Sequence, residues 1–133
     1  MESSVYVGYA DGAIFHTQNL ASAAWVIYTP KGQVVSSRGV CLRPSSNDVV
    51  EYSTMIELLH NAISNGIPSL EAYLDFQLVV SQLNGVYQIR DPTLLRRFLR
   101  VILLERKFER ITYIHIPRIY NHDSNSYGNY VLY

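Results

Sequence analysis

Three carboxylates stand where short apolar segments begin or end. Asp11 follows the apolar run at residues 5–10, Asp75 follows the run at 70–74, and Glu51 falls near the start of a helical pattern at 49–64. Carboxylates brought into contact repel, and a hard divalent cation removes that conflict. Mg²⁺ takes oxygen ligands in octahedral geometry, keeps several waters and also binds phosphate oxygens. A phosphodiester is therefore the natural substrate of such a cluster. Two ions about 3.5–4 Å apart would activate a water and stabilise the leaving oxygen. The candidate metal ligands are thus Asp11, Glu51 and Asp75, with Mg²⁺ or Mn²⁺ as the cofactor.

The elements that must position them follow from periodicity. Residues 5–10 form a first strand closed by Asp11-Gly12, 23–28 a second and 33–42 a third, with a Pro-Gly turn at 29–32. Strands this close in sequence are expected to form an antiparallel meander. The loop at 44–48 supplies N-cap candidates for a helix over 49–64, whose Met55, Leu58, Leu59, Ala62 and Ile63 recur at core-facing spacing. Asn65-Gly66 stops it. A fourth strand at 70–74 ends at Asp75, and short helix 77–83 stops at Asn84-Gly85. Asp91-Pro92 starts the longest helix, 93–107, with Leu94, Leu95, Phe98, Val101, Ile102 and Leu104 as its apolar side. A fifth strand covers 111–116, and a weak last helix is expected in the tail. The fold class is α/β: a mixed five-stranded sheet, three antiparallel strands then two parallel, with right-handed crossovers placing helices on both faces. Parallel pairing of strands 1 and 4 would bring Asp11 and Asp75 to one edge, with the first turn of the joining helix carrying Glu51 to it.

Each acid also has an ordinary reading when taken singly. Asp11 before Gly12 suits a turn, Glu51 answers a helix dipole, and Asp75 suits an N-cap.

Charge is unevenly distributed. Formal net charge is zero, but residues 1–75 carry a balance of −4 and residues 76–133 a balance of +4, with seven basic side chains within 90–110. That excludes a global basic field and leaves an acidic first part beside a basic or simply solvated helix face. The lone Cys41 excludes an intramolecular disulfide framework. No signal-type leader and no apolar run near 18 residues occur, so the expectation is a single intracellular domain over 1–133, cytoplasmic or nuclear, without membrane contact.

Several ordered motifs resemble type 1 ribonuclease H, most closely the version in retroelement polyproteins and related plant domains. Residues 9–13 (YADGA) resemble its strand-end Asp-Gly, and 47–52 (NDVVEY) its NNxAEY helix start. Residues 74–85 (LDFQLVVSQLNG) are similar to xDSQLVVNQxNG, with 88–92 continuing the similarity. His115-Ile116-Pro117-Arg118 followed by Asn121 is similar to HVPRxxN. The resemblance covers about residues 5–129 and implies metal-dependent cleavage of the RNA strand in RNA–DNA hybrids. It puts Asp11, Glu51 and Asp75 at three of four metal-binding carboxylates, and Asn47 and Gln77 at positions touching the hybrid backbone. It further implies shape-based recognition of the hybrid, with the basic helix face adding phosphate contacts.

The chain departs from that pattern at several points. The fourth carboxylate position falls on Asn125, a neutral amide, with Asp123 two residues earlier. Phe76 replaces the Ser after the third Asp, Asp48 replaces an Asn, and the stretch 14–19 (IFHTQN) lacks the usual glycines. His16, His60, His115 and His122 have no mutual metal-type spacing. Two functions follow as alternatives. One is an active hybrid-cleaving endonuclease. The other is a weakened or inactive domain that binds nucleic acid or a protein partner, including as part of a larger polyprotein.

Overall fold

A computed structural model describes residues 4–117. Its elements are β1 (Tyr6–Phe15), β2 (Leu20–Tyr28), β3 (Val34–Leu42), α1 (Asn47–Ser64), β4 (Ser69–Leu74), α2 (Gln77–Leu83), α3 (Pro92–Glu105) and β5 (Arg110–His115). A short 3₁₀ turn, His16–Gln18, joins β1 to β2. The five strands form one mixed sheet in the order β3-β2-β1-β4-β5. β1, β2 and β3 pair antiparallel, while β4 runs parallel to β1 and β5 parallel to β4. This is the expected meander followed by crossovers. The expected tail helix, with Asn121, His122, Asp123 and Asn125, lies outside the described residues.

Both faces of the interior strand β2 are covered: every residue from Ala21 to Ile27 is buried. α1 packs against this part of the sheet through Met55, Leu58, Leu59 and Ala62, all fully buried. Gly8 leaves room for Leu58, whose Cδ1 would lie 3.2 Å from a Cβ there. α1 ends in a Schellman motif: Gly66 has φ +69°, its N–H donates to Ile63, and Ile67 N–H donates to Ala62. α2 repeats it at Gly85, with Gly85 N–H donating to Gln82 and Val86 N–H to Ser81.

Side-chain bonds tie the helices together and to the sheet. Tyr52 Oη donates to Gln82 Oε1 at 2.6 Å, linking α1 to α2. Asn84 Nδ2 donates to the Tyr113 carbonyl at 3.1 Å, linking α2 to β5. Tyr113 Oη donates to Glu105 Oε1 at 2.7 Å, linking α3 to β5.

Three expectations are corrected. β1 does not stop at Asp11-Gly12; it runs on to Phe15, because Gly12 to Phe15 keep pairing with Leu20 to Ala23 of β2. Only the last four residues of the 14–19 stretch therefore lie in the β1–β2 connection, where Asn19 takes a left-handed conformation (φ 52°) open to Asn. α1 starts at Asn47, capped by Ser46 Oγ accepting from Val49 N–H, which moves Glu51 into the second turn. On α3, Leu94 and Val101 are buried but Leu95 is turned outward.

Candidate functional site

The acidic edge is created by a mismatch in strand length. The parallel ladder between β1 and β4 ends at the pair Ala10↔Leu74, whereas β1 continues against β2. Asp11 and Asp75 are each the next residue beyond that pair, so they emerge side by side where β4 leaves the sheet. Glu51 reaches the same place from α1, and its Oε1 accepts the Gly12 N–H at 3.2 Å. One ligand oxygen from each of Asp11, Glu51 and Asp75 lies within 4.8 Å of the others. Asp11 is 4% exposed and Glu51 7%, while Asp75 is half-buried.

These placements decide among the ordinary readings of each acid. Asp11 is inside a strand, not in a turn. The acid in the first turn of α1 is Asp48, not Glu51. The N-cap position of α2 is Phe76, so Asp75 stands before the cap.

Gly12 sets the approach of α1 to β1. A Cβ there would lie 2.7 Å from Val50 Cγ1, 2.9 Å from Thr54 Oγ1 and 3.0 Å from Glu51 Oε1. Only a residue without a side chain lets α1 come close enough for Glu51 to bond the β1 backbone.

Glu51 and Asp75 form part of the wall of an open cavity of about 580 Å³, with Asn47, His16, Phe76 and the Gly12–Ile14 edge of β1. The deeper-buried Asp11 is not part of that wall. Asn47 is exposed in the first turn of α1 and lines the cavity. Gln77 is exposed at the start of α2, next to Phe76 but not in the cavity wall. The structure thus brings together Asp11, Glu51, Asp75 and Asn47. Asn125 lies outside the described residues. Sequence reasoning assigned no role to Gly12 or His16. A Gly after an Asp reads as a turn, and His16 reaches the cavity only because β1 extends past Asp11. The donor set is three carboxylates within reach of one another, which suits a hard cation of the Mg²⁺ or Mn²⁺ type and not a soft one.

Among the described residues no helix is long and apolar enough to cross a membrane.

The sheet order and the carboxylate edge define a ribonuclease H-like α/β architecture. A family model described as reverse transcriptase-like matches residues 9–127. Ribonuclease HI of Halobacterium salinarum is 31% identical over 124 residues, 93% of this chain and 62% of that protein. The chain therefore spans less than two thirds of the length of this curated relative. The crystal structure of RNase H1 from the same archaeon superposes with a TM-score of 0.90 at 30% identity, covering 96% of this chain and 97% of that one. LC11-RNase H1, isolated from compost and crystallised in complex with an RNA/DNA hybrid, superposes with a TM-score of 0.85 at 25% identity over 94% of both chains. The chain belongs to the ribonuclease H family.

Proposed function

We propose that this chain is a divalent-metal-dependent endonuclease that cleaves the RNA strand of RNA–DNA hybrids. The observation that carries the reading is the convergence of Asp11, Glu51 and Asp75, from three separate elements, to within 4.8 Å beside an open cavity. The hybrid bound by LC11-RNase H1 supports the substrate class. Mg²⁺ or Mn²⁺, when bound, supplies a water of lowered pKa and neutralises charge on the leaving oxygen.

The chain's own residues do the rest. Asp11 and Asp75 are the principal ligands, the first carried within β1 and the second by the residue that follows β4. Glu51 completes the set and orients the attacking water. The bond from Gly12 N–H to Oε1 ties its carboxylate to the β1 backbone. The Asn47 amide at the cavity wall and Gln77 at the start of α2 contact the sugar–phosphate backbone. Asn125, standing for a fourth carboxylate, contributes an uncharged amide.

Phe76 favours a second reading. Its side chain both lines the cavity and packs on the core, narrowing the space beside Asp75. A site so narrowed would turn over slowly, leaving a domain that binds nucleic acid or a protein partner.

The test is incubation with hybrids labelled on either strand, beside duplex DNA and duplex RNA, in Mg²⁺ and in Mn²⁺. Shortening of the RNA strand of the hybrid alone is the expected result. Folded protein that cuts none of these in either metal would leave the binding module as the surviving reading.

A further inference from the structure

Helix α3 has two apolar faces. The inner one buries Leu94 and Val101, with Phe98 and Leu104 packed against the core. The outer one carries Leu95, Leu99 and Leu103, which are 38%, 50% and 57% exposed. Four-residue spacing sets these three in one row about 12 Å long, at roughly 1.5 Å per residue. With 3.6 residues per turn the row lies nearly opposite Leu94 and Val101, so the sheet and α1 cannot cover it. Single exposed leucines are common, but a continuous row facing solvent marks a contact surface.

The charges beside the row say what kind of partner it fits. Arg96 and Arg100 are exposed and each follows a ridge leucine by one position, so both lie along one flank. Lys107, just beyond the helix, is also exposed. The one acid within α3, Glu105, is turned toward β5 by its bond to Tyr113 Oη. Arg97 is turned back along the helix, its Nη1 donating to the Thr93 carbonyl at 3.4 Å. The outward face is therefore a leucine ridge with a purely basic flank.

We infer that this face of α3 docks an acidic amphipathic helix of a partner protein. An apolar stripe on the partner covers Leu95, Leu99 and Leu103, and carboxylates beside that stripe meet Arg96 and Arg100. A second copy fits poorly, because antiparallel self-pairing sets the arginine flank against its own like. A nucleic-acid backbone would satisfy the arginines and leave the leucines in water. The inference does not depend on nuclease activity and survives its failure.

The test uses two fluorescein-labelled synthetic helices of about 18 residues, each with one leucine stripe. One carries glutamate on the remaining face and the other lysine. Anisotropy titrations with the full chain are expected to show saturable binding of the glutamate peptide only. Leu99→Ser with Leu103→Ser is expected to weaken it by about tenfold or more, as for central interface positions. Arg96→Glu with Arg100→Glu is expected to shift preference to the lysine peptide. All four positions are exposed, so an unchanged thermal melt is the folding control. Binding of both peptides alike, or of neither, overturns the proposal. So does a wild-type dimer in sedimentation that the leucine variant dissociates, since the ridge then serves a second copy. Loss of hybrid-duplex binding as large as the loss of peptide binding in the leucine variant also overturns it, assigning the ridge to nucleic acid.

Discussion

A methyl group on Gly12 would meet Val50 Cγ1 at 2.7 Å and Glu51 Oε1 at 3.0 Å. Neither neighbour can retreat freely, since Val50 and Glu51 sit on a helix whose other side fills the core. Gly12→Ala should therefore push α1 away from β1, costing about 1–3 kcal/mol as overpacking does. It should also break the Gly12 N–H bond to Glu51. The expected outcome is a lower urea midpoint and loss of added stability from Mn²⁺ in the same protein, measured by denaturation with and without the ion. Retention of both would mean that α1 can take up the methyl elsewhere. At this scale the sequence was informative about which acids matter and silent about why they meet. Asp11, Glu51 and Asp75 were legible as acids that could meet, although only Asp75 stands just past the end of an element. Gly12 read as a turn, because a close helix–strand approach leaves no mark in a single chain's residue pattern.

At the scale of elements, Tyr52 shows how the helices hold the site indirectly. It is fully buried one position after Glu51, and its hydroxyl donates to Gln82 Oε1 of α2, itself only 7% exposed. Tyr52→Phe leaves that oxygen buried without the bond, which costs about 1–3 kcal/mol. The expected outcome is a drop of that size in urea-denaturation stability with little change in the native circular dichroism spectrum. An unchanged stability would show that water reaches Gln82. Element types, their order and the antiparallel-then-parallel sheet were all readable from apolar period, Asn-Gly stops and the Asp91-Pro92 start. The extension of β1 to Phe15 was not, since it comes from pairing with β2 and not from local propensity. The inward or outward facing of Leu95 was equally hidden, because α3 is apolar on two sides and the sequence cannot say which side the sheet takes.

At the scale of the whole molecule, three tyrosines among the described residues couple folding to alkaline pH. Burial raises the Tyr113 hydroxyl far above its usual range, helped by its bond to Glu105. Burial also raises that of Tyr52, with the Asp48 charge adding to it. The bond to Glu71 and burial push the more exposed Tyr73 to about 12. In the unfolded chain tyrosine ionises near pH 10. The folded protein therefore holds more protons than the unfolded one above that point, and stability falls as pH rises. It should be fully present below about pH 10 and decline steadily from there through the folded values. Urea midpoints between pH 8 and pH 11.5 check this. Tyr113→Phe should flatten part of the slope, and a flat profile in the wild type would contradict the assignment.

If Asp11, Glu51 and Asp75 act as one divalent-metal centre, thermal unfolding titrated with Mn²⁺ will report it. A ligand bound only by the folded state raises stability by RT ln(1 + [L]/Kd), about 2.7 kcal/mol at a hundred times Kd. Wild-type protein should show a saturable rise, and Asp11→Asn should lose it. Without metal, Asp11→Asn should be at least as stable as the wild type, because one of three mutually repelling charges is gone. An equal rise in both proteins, or none in the wild type, would contradict it.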